Sequence, residues 1–125
     1  MPTRESVSSF IADVLSNDHV GAIERWYHAD ASMQENGALP RVGRDVLMAG
    51  ESAVLAKVRG VVSELVAPPV IDGDQVAIRW RFTFERADGA KMTMEEVAWQ
   101  TWRGERIVRE TFFYDPAQRV FVMPT

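Results

Sequence analysis

The chain contains no cysteine, which excludes disulfides, thiol nucleophiles and thiolate-held zinc or iron–sulfur centres. It has only two histidines, His19 and His28, and no clustered carboxylates accompany them, so no metal site is expected. Positive charge is not in excess: 14 basic side chains face 18 acidic ones, a net of −4. No basic stripe stands out either, which argues against nucleic acid as a partner. No apolar run approaches the ~20 residues that a bilayer-spanning helix needs. The N-terminus shows no apolar stretch of a secretory leader, so a cytoplasmic location without membrane association is expected. A glycine-rich phosphate loop, a serine-centred nucleophile elbow and a dinucleotide fingerprint are all missing, and no cofactor is expected. Repeats, low-complexity stretches and linkers are absent too, which makes residues 1–125 one domain.

What is present is the composition of a globular chain able to bury a core, with 46% hydrophobic and 26% charged residues among 125. The first half has helical periodicity. Thr3 or Ser6 can cap a helix whose stripe is Val7, Phe10, Ile11, Val14 and Leu15. Asn17-Asp18 interrupts it, and Asp18 can cap a second helix carrying Val20, Ile23, Trp26 and Tyr27. An extended piece over Ala31–Glu35 leads to a loop marked by Asn36-Gly37 and Pro40. Arg44 to about Val58 reads as a third helix, with Val46, Leu47, Val54, Leu55 and Val58 inward and Gly60 ending it.

The second half changes period. Val61–Ile71, Gln75–Arg86, Lys91–Trp102 and Arg106–Tyr114 are β-rich, and Asp72-Gly73-Asp74, Ala87-Asp88-Gly89 and Arg103-Gly104-Glu105 separate them. Gly-bearing turns between long strands predict an antiparallel meander. Strands of this length twist and coil, so helices can fill the concave side and a partner subunit can cover the convex one. Pro68-Pro69 confines the first long strand to an edge or a bulge.

Several local words recur in this order: Asn17-Asp18, Trp26-Tyr27-His28-Ala29-Asp30-Ala31, Pro40-Arg41-Val42-Gly43-Arg44-Asp45, Arg103-Gly104-Glu105-Arg106-Ile107-Val108, and Phe113-Tyr114-Asp115-Pro116. In these the chain resembles the SnoaL-like polyketide cyclases of the nuclear-transport-factor-2-like superfamily, to which ketosteroid isomerase and limonene epoxide hydrolase also belong. The resemblance implies an α+β, cone-like fold: three N-terminal helices on a strongly curved antiparallel meander that encloses an apolar pocket. It does not imply one reaction, because the fold hosts many. Carried over residue by residue, the isomerase base falls on Glu35. The positions of the two oxyanion donors fall on Phe10 and near Ala98, neither of which can donate. The late aspartate of the epoxide hydrolases falls on Phe112.

Alternation along the strands selects the pocket face. On Gln75–Arg86 the even residues Val76, Ile78, Trp80, Phe82 and Phe84 are apolar, while Arg79, Arg81 and Glu85 lie opposite. The next strand is open to two registers. A two-residue Asp88-Gly89 turn sets Glu95, Val97 and Trp99 beside the aromatic row. A three-residue Ala87-Asp88-Gly89 turn sets Met92, Met94, Glu96 and Ala98 there. The second is preferred, because it places Met92 and Met94 against Phe84 and Phe82. A three-residue Arg103-Gly104-Glu105 turn then brings Glu110, Phe112 and Tyr114 inward.

The expected ligand lining is therefore Phe10, Val14, Trp80, Phe82, Phe84, Met92, Met94 and Phe112, around a pocket of roughly 300 Å³ or more. Glu35, Glu96, Glu110 and Tyr114 are the candidate catalytic groups. A carboxylate in an apolar cavity costs several kcal/mol unless paired or protonated, which gives such groups a reason to be functional. Each also has a plainer reading. Glu35 can be a solvated loop residue, Glu96 is exposed by a register slip, Glu110 can pair with Arg109 at a sheet rim, and Tyr114 can be a rim tyrosine. His19 and His28 read as surface residues at helix ends. The enzyme reading is acid–base catalysis of isomerase or cyclase type on a steroid-like or polyketide-like carbonyl compound, with Glu35 as base. The competing reading is a non-catalytic ligand-binding or dimerisation module. A homodimer through the outer sheet face is expected, with Val97 and Trp99 at its centre.

Overall fold

The computed structural model describes residues 1–125. Thr3 caps helix α1 (Arg4–Leu15), its hydroxyl accepting from Ser6 N at 3.0 Å. Val7, Phe10, Ile11 and Val14 are buried, and Leu15 is left at the surface. Asn17 turns the chain in the left-handed region, at φ 68°. Asp18 then caps α2 (His19–Trp26) by accepting from Gly21 N at 3.2 Å.

Tyr27, expected on the helix, instead opens strand β1 (Tyr27–Glu35), which is longer than the extended piece read from the sequence. β2 (Arg41–Val42) is a short flap on its edge. Helix α3 (Arg44–Ala56) buries only Leu47, and Val46 and Val54 remain exposed, contrary to the expected inward stripe. Leu47, with Met48 packed beside it, is where this helix meets the core.

The Val61–Ile71 run is two strands, β3 (Gly60–Leu65) and β4 (Val70–Asp72), both paired to β5 (Gln75–Glu85). Pro68-Pro69 lies between them, where neither residue could donate to a ladder. Gly60 begins β3 rather than ending α3. β6 (Lys91–Arg103) and β7 (Arg106–Phe113) complete a sheet ordered β2-β1-β7-β6-β5-β3.

β3 to β7 form the expected antiparallel meander, but β1 joins β7 in parallel, so the seven-stranded sheet is mixed. A parallel neighbour needs a long crossover; here α3 and the whole meander provide it. The architecture is an α+β cone in which Phe10, Val14 and Ile23 from the helices pack onto Ile78, Trp80 and Phe82 from the concave face. Each such side chain contributes about 1.5–3 kcal/mol on full burial.

The β5–β6 register is the preferred one. Phe82 pairs with Met94 and Phe84 with Met92, across a three-residue Ala87-Asp88-Gly89 loop with Gly89 at φ 88°. The β6–β7 turn differs from expectation. Arg103 pairs with Arg106, leaving a two-residue Gly104-Glu105 turn with Gly104 at φ 60°. A bulge at Val108, between the Trp102–Ile107 and Thr101–Arg109 pairs, then restores the parity. Glu110 and Phe112 therefore sit opposite Gln100 and Ala98, on the inward face, through a bulge rather than through a longer turn.

Candidate active site

The cone encloses a cavity of about 210 Å³, smaller than the roughly 300 Å³ expected. Trp80, stacked on Phe82 at 5.6 Å, together with Phe84, Met92 and Met94, takes up much of the concave face. Phe10, Val14, Ala22 and Ile23 from the helices close the other side. Glu35, Glu96, Glu110, Phe112 and Tyr114 all line this one space, and so do His19, Tyr27, Arg41, Glu51 and Arg119. A wider depression of about 570 Å³, lined by Asp30, Ser32, Asp74, Thr101, Arg103 and Arg109 among others, lies elsewhere on the surface. It is open and mixed in charge.

The pairing sets the acids in order. Along β6 the inward residues run Trp102, Gln100, Ala98, Glu96, Met94, Met92, and Met33–Glu110–Gln100 and Glu35–Phe112–Ala98 form cross-strand rows. Glu96 lies opposite Trp80. Its carboxyl makes no hydrogen bond within the protein. Burial first, then the charges of Glu110, Glu35 and Glu51, push its pKa up to about 8. The residue therefore carries a proton at neutral pH and has no protein acceptor for it.

Glu110 is different. It is 1% exposed, and both of its oxygens are occupied: Tyr27 donates its hydroxyl to Oε1, and Gln100 Nε2 donates to Oε2 at 2.6 Å. Trp102 Nε1 donates in turn to Gln100 Oε1 at 2.9 Å. Burial raises Glu110 to about 7 against the opposing pull of these two donors. The Tyr27 hydroxyl is pushed well above its usual range by burial and by Glu110. The rim ion pair with Arg109 considered for Glu110 does not form; Arg109 faces the opposite side of β7 from Glu110.

At the mouth, Glu35 is 41% exposed. Tyr114 donates its hydroxyl to Glu35 Oε1 at 3.0 Å. Arg119 Nη1 stands 3.9 Å from the same oxygen, and Arg41 Nη2 stands 4.0 Å from Oε2. Glu35 is thus not the isolated carboxylate of an apolar site that the sequence reading expected. The Asn36-Gly37 loop after it swings Arg41 back across β1, and the Pro116–Gln118 turn brings Arg119 over Tyr114. Tyr114 is raised by burial and by its bond to Glu35.

His19, read as a surface residue, is buried. Its Nε2 lies 2.8 Å from Ser63 Oγ and its Nδ1 3.3 Å from Glu51 Oε1, with the ring edge-on to Phe82 at 5.4 Å. Its partners are 32 and 44 residues away, and only the packing of α3 and β3 brings them near. No group of three or more His, Asp or Glu side chains is arranged to hold a metal ion.

Comparison with solved structures recovers the same architecture. A candidate SnoaL-like polyketide cyclase of Mesorhizobium loti is 27% identical, with a TM-score of 0.76 over 91% of this chain and 100% of that one. A protein of ketosteroid isomerase-like fold from Catenulispora acidiphila, solved in complex with trimethylamine, is 18% identical, with a TM-score of 0.76 over 93% of this chain and 89% of that one. An epoxide hydrolase of M. tuberculosis, similar to limonene epoxide hydrolase, gives 13% and 0.73 over 91% and 83%. The last two share the fold only. No curated protein matches. The profile of the SnoaL-like domain matches residues 7–110, from the buried stripe of α1 to Glu110 itself, and the chain belongs to that family.

Proposed function

We propose that the cavity is the active site of an acid–base enzyme acting on a small, largely apolar carbonyl compound, by isomerase- or cyclase-type chemistry. One observation carries this reading: Glu96 presents a protonated, unpartnered carboxyl to an apolar space. A carboxylic acid kept neutral at pH 7 can donate to a carbonyl oxygen as negative charge develops there. That supplies the donor which Phe10 and Ala98 lack. Glu35 accepts the proton leaving the adjacent carbon, with Tyr114 fixing its orientation. The resulting enol then takes a proton at another carbon or attacks an internal electrophile. General acid and base groups of this kind contribute about 10²–10⁴-fold each.

The cavity volume narrows the ligand. A cavity of about 150 Å³ takes benzene, so 210 Å³ suits one or two rings rather than a four-ring steroid. The test is turnover of one- and two-ring β,γ-unsaturated ketones, followed by the absorbance of the conjugated product. Turnover that falls by about 10²-fold or more in Glu96→Gln and in Glu35→Gln is expected. Ligands that bind but are never turned over would favour the non-catalytic module, a reading supported by the apolar residues at the two isomerase donor positions.

The same reading includes a homodimer. Trp99 and Phe113, 48% and 51% exposed, lie with Val97 and Ala77 on the convex face. An apolar centre within Arg79, Arg81, Thr93 and Thr101 is the composition of an interface.

A further inference from the structure

We infer that the cavity's ligand carries an acidic group, a carboxylate or an ionised enol, which Arg41 and Arg119 hold at the mouth while its ring lies against Trp80. The inference rests on the cavity being the ligand site and adds the class of molecule that fills it. Two guanidiniums converge on the opening, and a single carboxylate, Glu35, stands between them. Neither closes on it: the separations are 4.0 and 3.9 Å. Several arginines elsewhere in this protein do close. Arg25 meets Asp18 at 2.7 Å, Arg86 meets Asp88 at 2.8 Å, and Arg81 meets Glu95 at 2.5 Å.

The Arg41 guanidinium makes no hydrogen bond to the protein, and that of Arg119 makes one, to the Tyr114 hydroxyl at 3.3 Å. Both side chains line the mouth and are 41% and 54% exposed, so their remaining N–H donors are open to a ligand. In a chain of net charge −4, two guanidiniums against the one Glu35 carboxylate give this opening a local positive excess. Guanidinium forks recognise planar oxyanions with directed hydrogen bonds, each stronger than a neutral pair. The interior offers no competing anion site, because both nitrogens of its one imidazole, His19, are already engaged by Glu51 and Ser63. A cation would gain from the carboxyls inside, but it must pass the two arginines to reach them.

The experiment is calorimetric titration of the full chain with three ligands of one shape: 2-naphthoate, the neutral 2-acetylnaphthalene and 2-naphthylmethylammonium. The anion should bind at least about tenfold more tightly than the ketone, and its advantage should shrink with added salt. Arg41→Gln with Arg119→Gln should abolish that advantage and leave the ketone's affinity within a few-fold. The paired Arg→Lys variants should keep part of it, which separates charge from a folding defect. Equal affinity for ketone and anion, or a preference for the ammonium, would overturn the inference and leave the cavity reading intact. Silence from all three ligands would overturn both.

Discussion

Tyr27 donates its hydroxyl to Glu110 across 83 positions of sequence, at the seam where β1 runs parallel to β7. The bond anchors one wall of the cavity. Tyr27→Phe removes the donor and leaves a buried acceptor short of a partner, at a cost of about 1–3 kcal/mol. It should also raise Glu110 further, since one of the two hydrogen bonds that lower its pKa is lost. Urea denaturation measures the first effect. A variant as stable as the parent would mean that water replaces the phenol.

Stability should fall as pH rises through neutrality. Glu110 and Glu96 are raised to about 7 and about 8 in the folded state, from 4.5. The native chain therefore binds more protons than the unfolded one between these limits, and stability declines with rising pH there. Their contribution is complete below about pH 4.5 and is lost as pH passes 7 and then 8. Exposed carboxylates lowered by arginine neighbours, such as Asp88 and Glu95, act in the opposite sense and only in acid. Melting temperature from pH 6 to 9 should slope downward in the parent and clearly less in Glu96→Gln. A flat parent profile would rule out the raised values.

Glu35→Gln should lower turnover of a true substrate by about 10²-fold or more with little change in stability. Its carboxylate is half-exposed, and its arginine contacts are near 4 Å, the kind of surface pair worth about 0–1 kcal/mol. Unchanged activity with clearly lower stability would make Glu35 a structural residue.

Light scattering at tens of micromolar should give the mass of a dimer, and Trp99→Glu should reduce it to that of a monomer. Trp99 Nε1 is held by Gln75 Oε1 at 2.8 Å on the convex face, so the substitution does not touch the cavity. A monomeric parent would remove the interface.

The meander and its pocket face were legible because their signals are local. Gly89 supplies the left-handed position that the three-residue loop demands, and Met92 and Met94 then fall on Phe84 and Phe82. Glu96 and Glu110 could be placed by alternation once a turn length was chosen, and Glu35 by the family resemblance. The Val108 bulge could not, yet its effect on parity equals that of the longer turn. The parallel β1–β7 seam leaves no periodic trace in either strand, so Tyr27 read as a helix end. Gln100 offered one unused clue: a polar side chain in line with Met94 and Ala98 must have a buried partner. His19 and the two mouth arginines depend on contacts between distant segments, which no local pattern reports.

The most direct test is a ¹³C NMR titration of the glutamate side-chain carboxyls, with Glu96→Gln assigning the signal. A midpoint near 8 is expected for Glu96, moving when a carbonyl ligand enters the cavity. A midpoint near the ordinary ~4.3 of glutamate, unmoved by ligand, would contradict a protonated donor at this site.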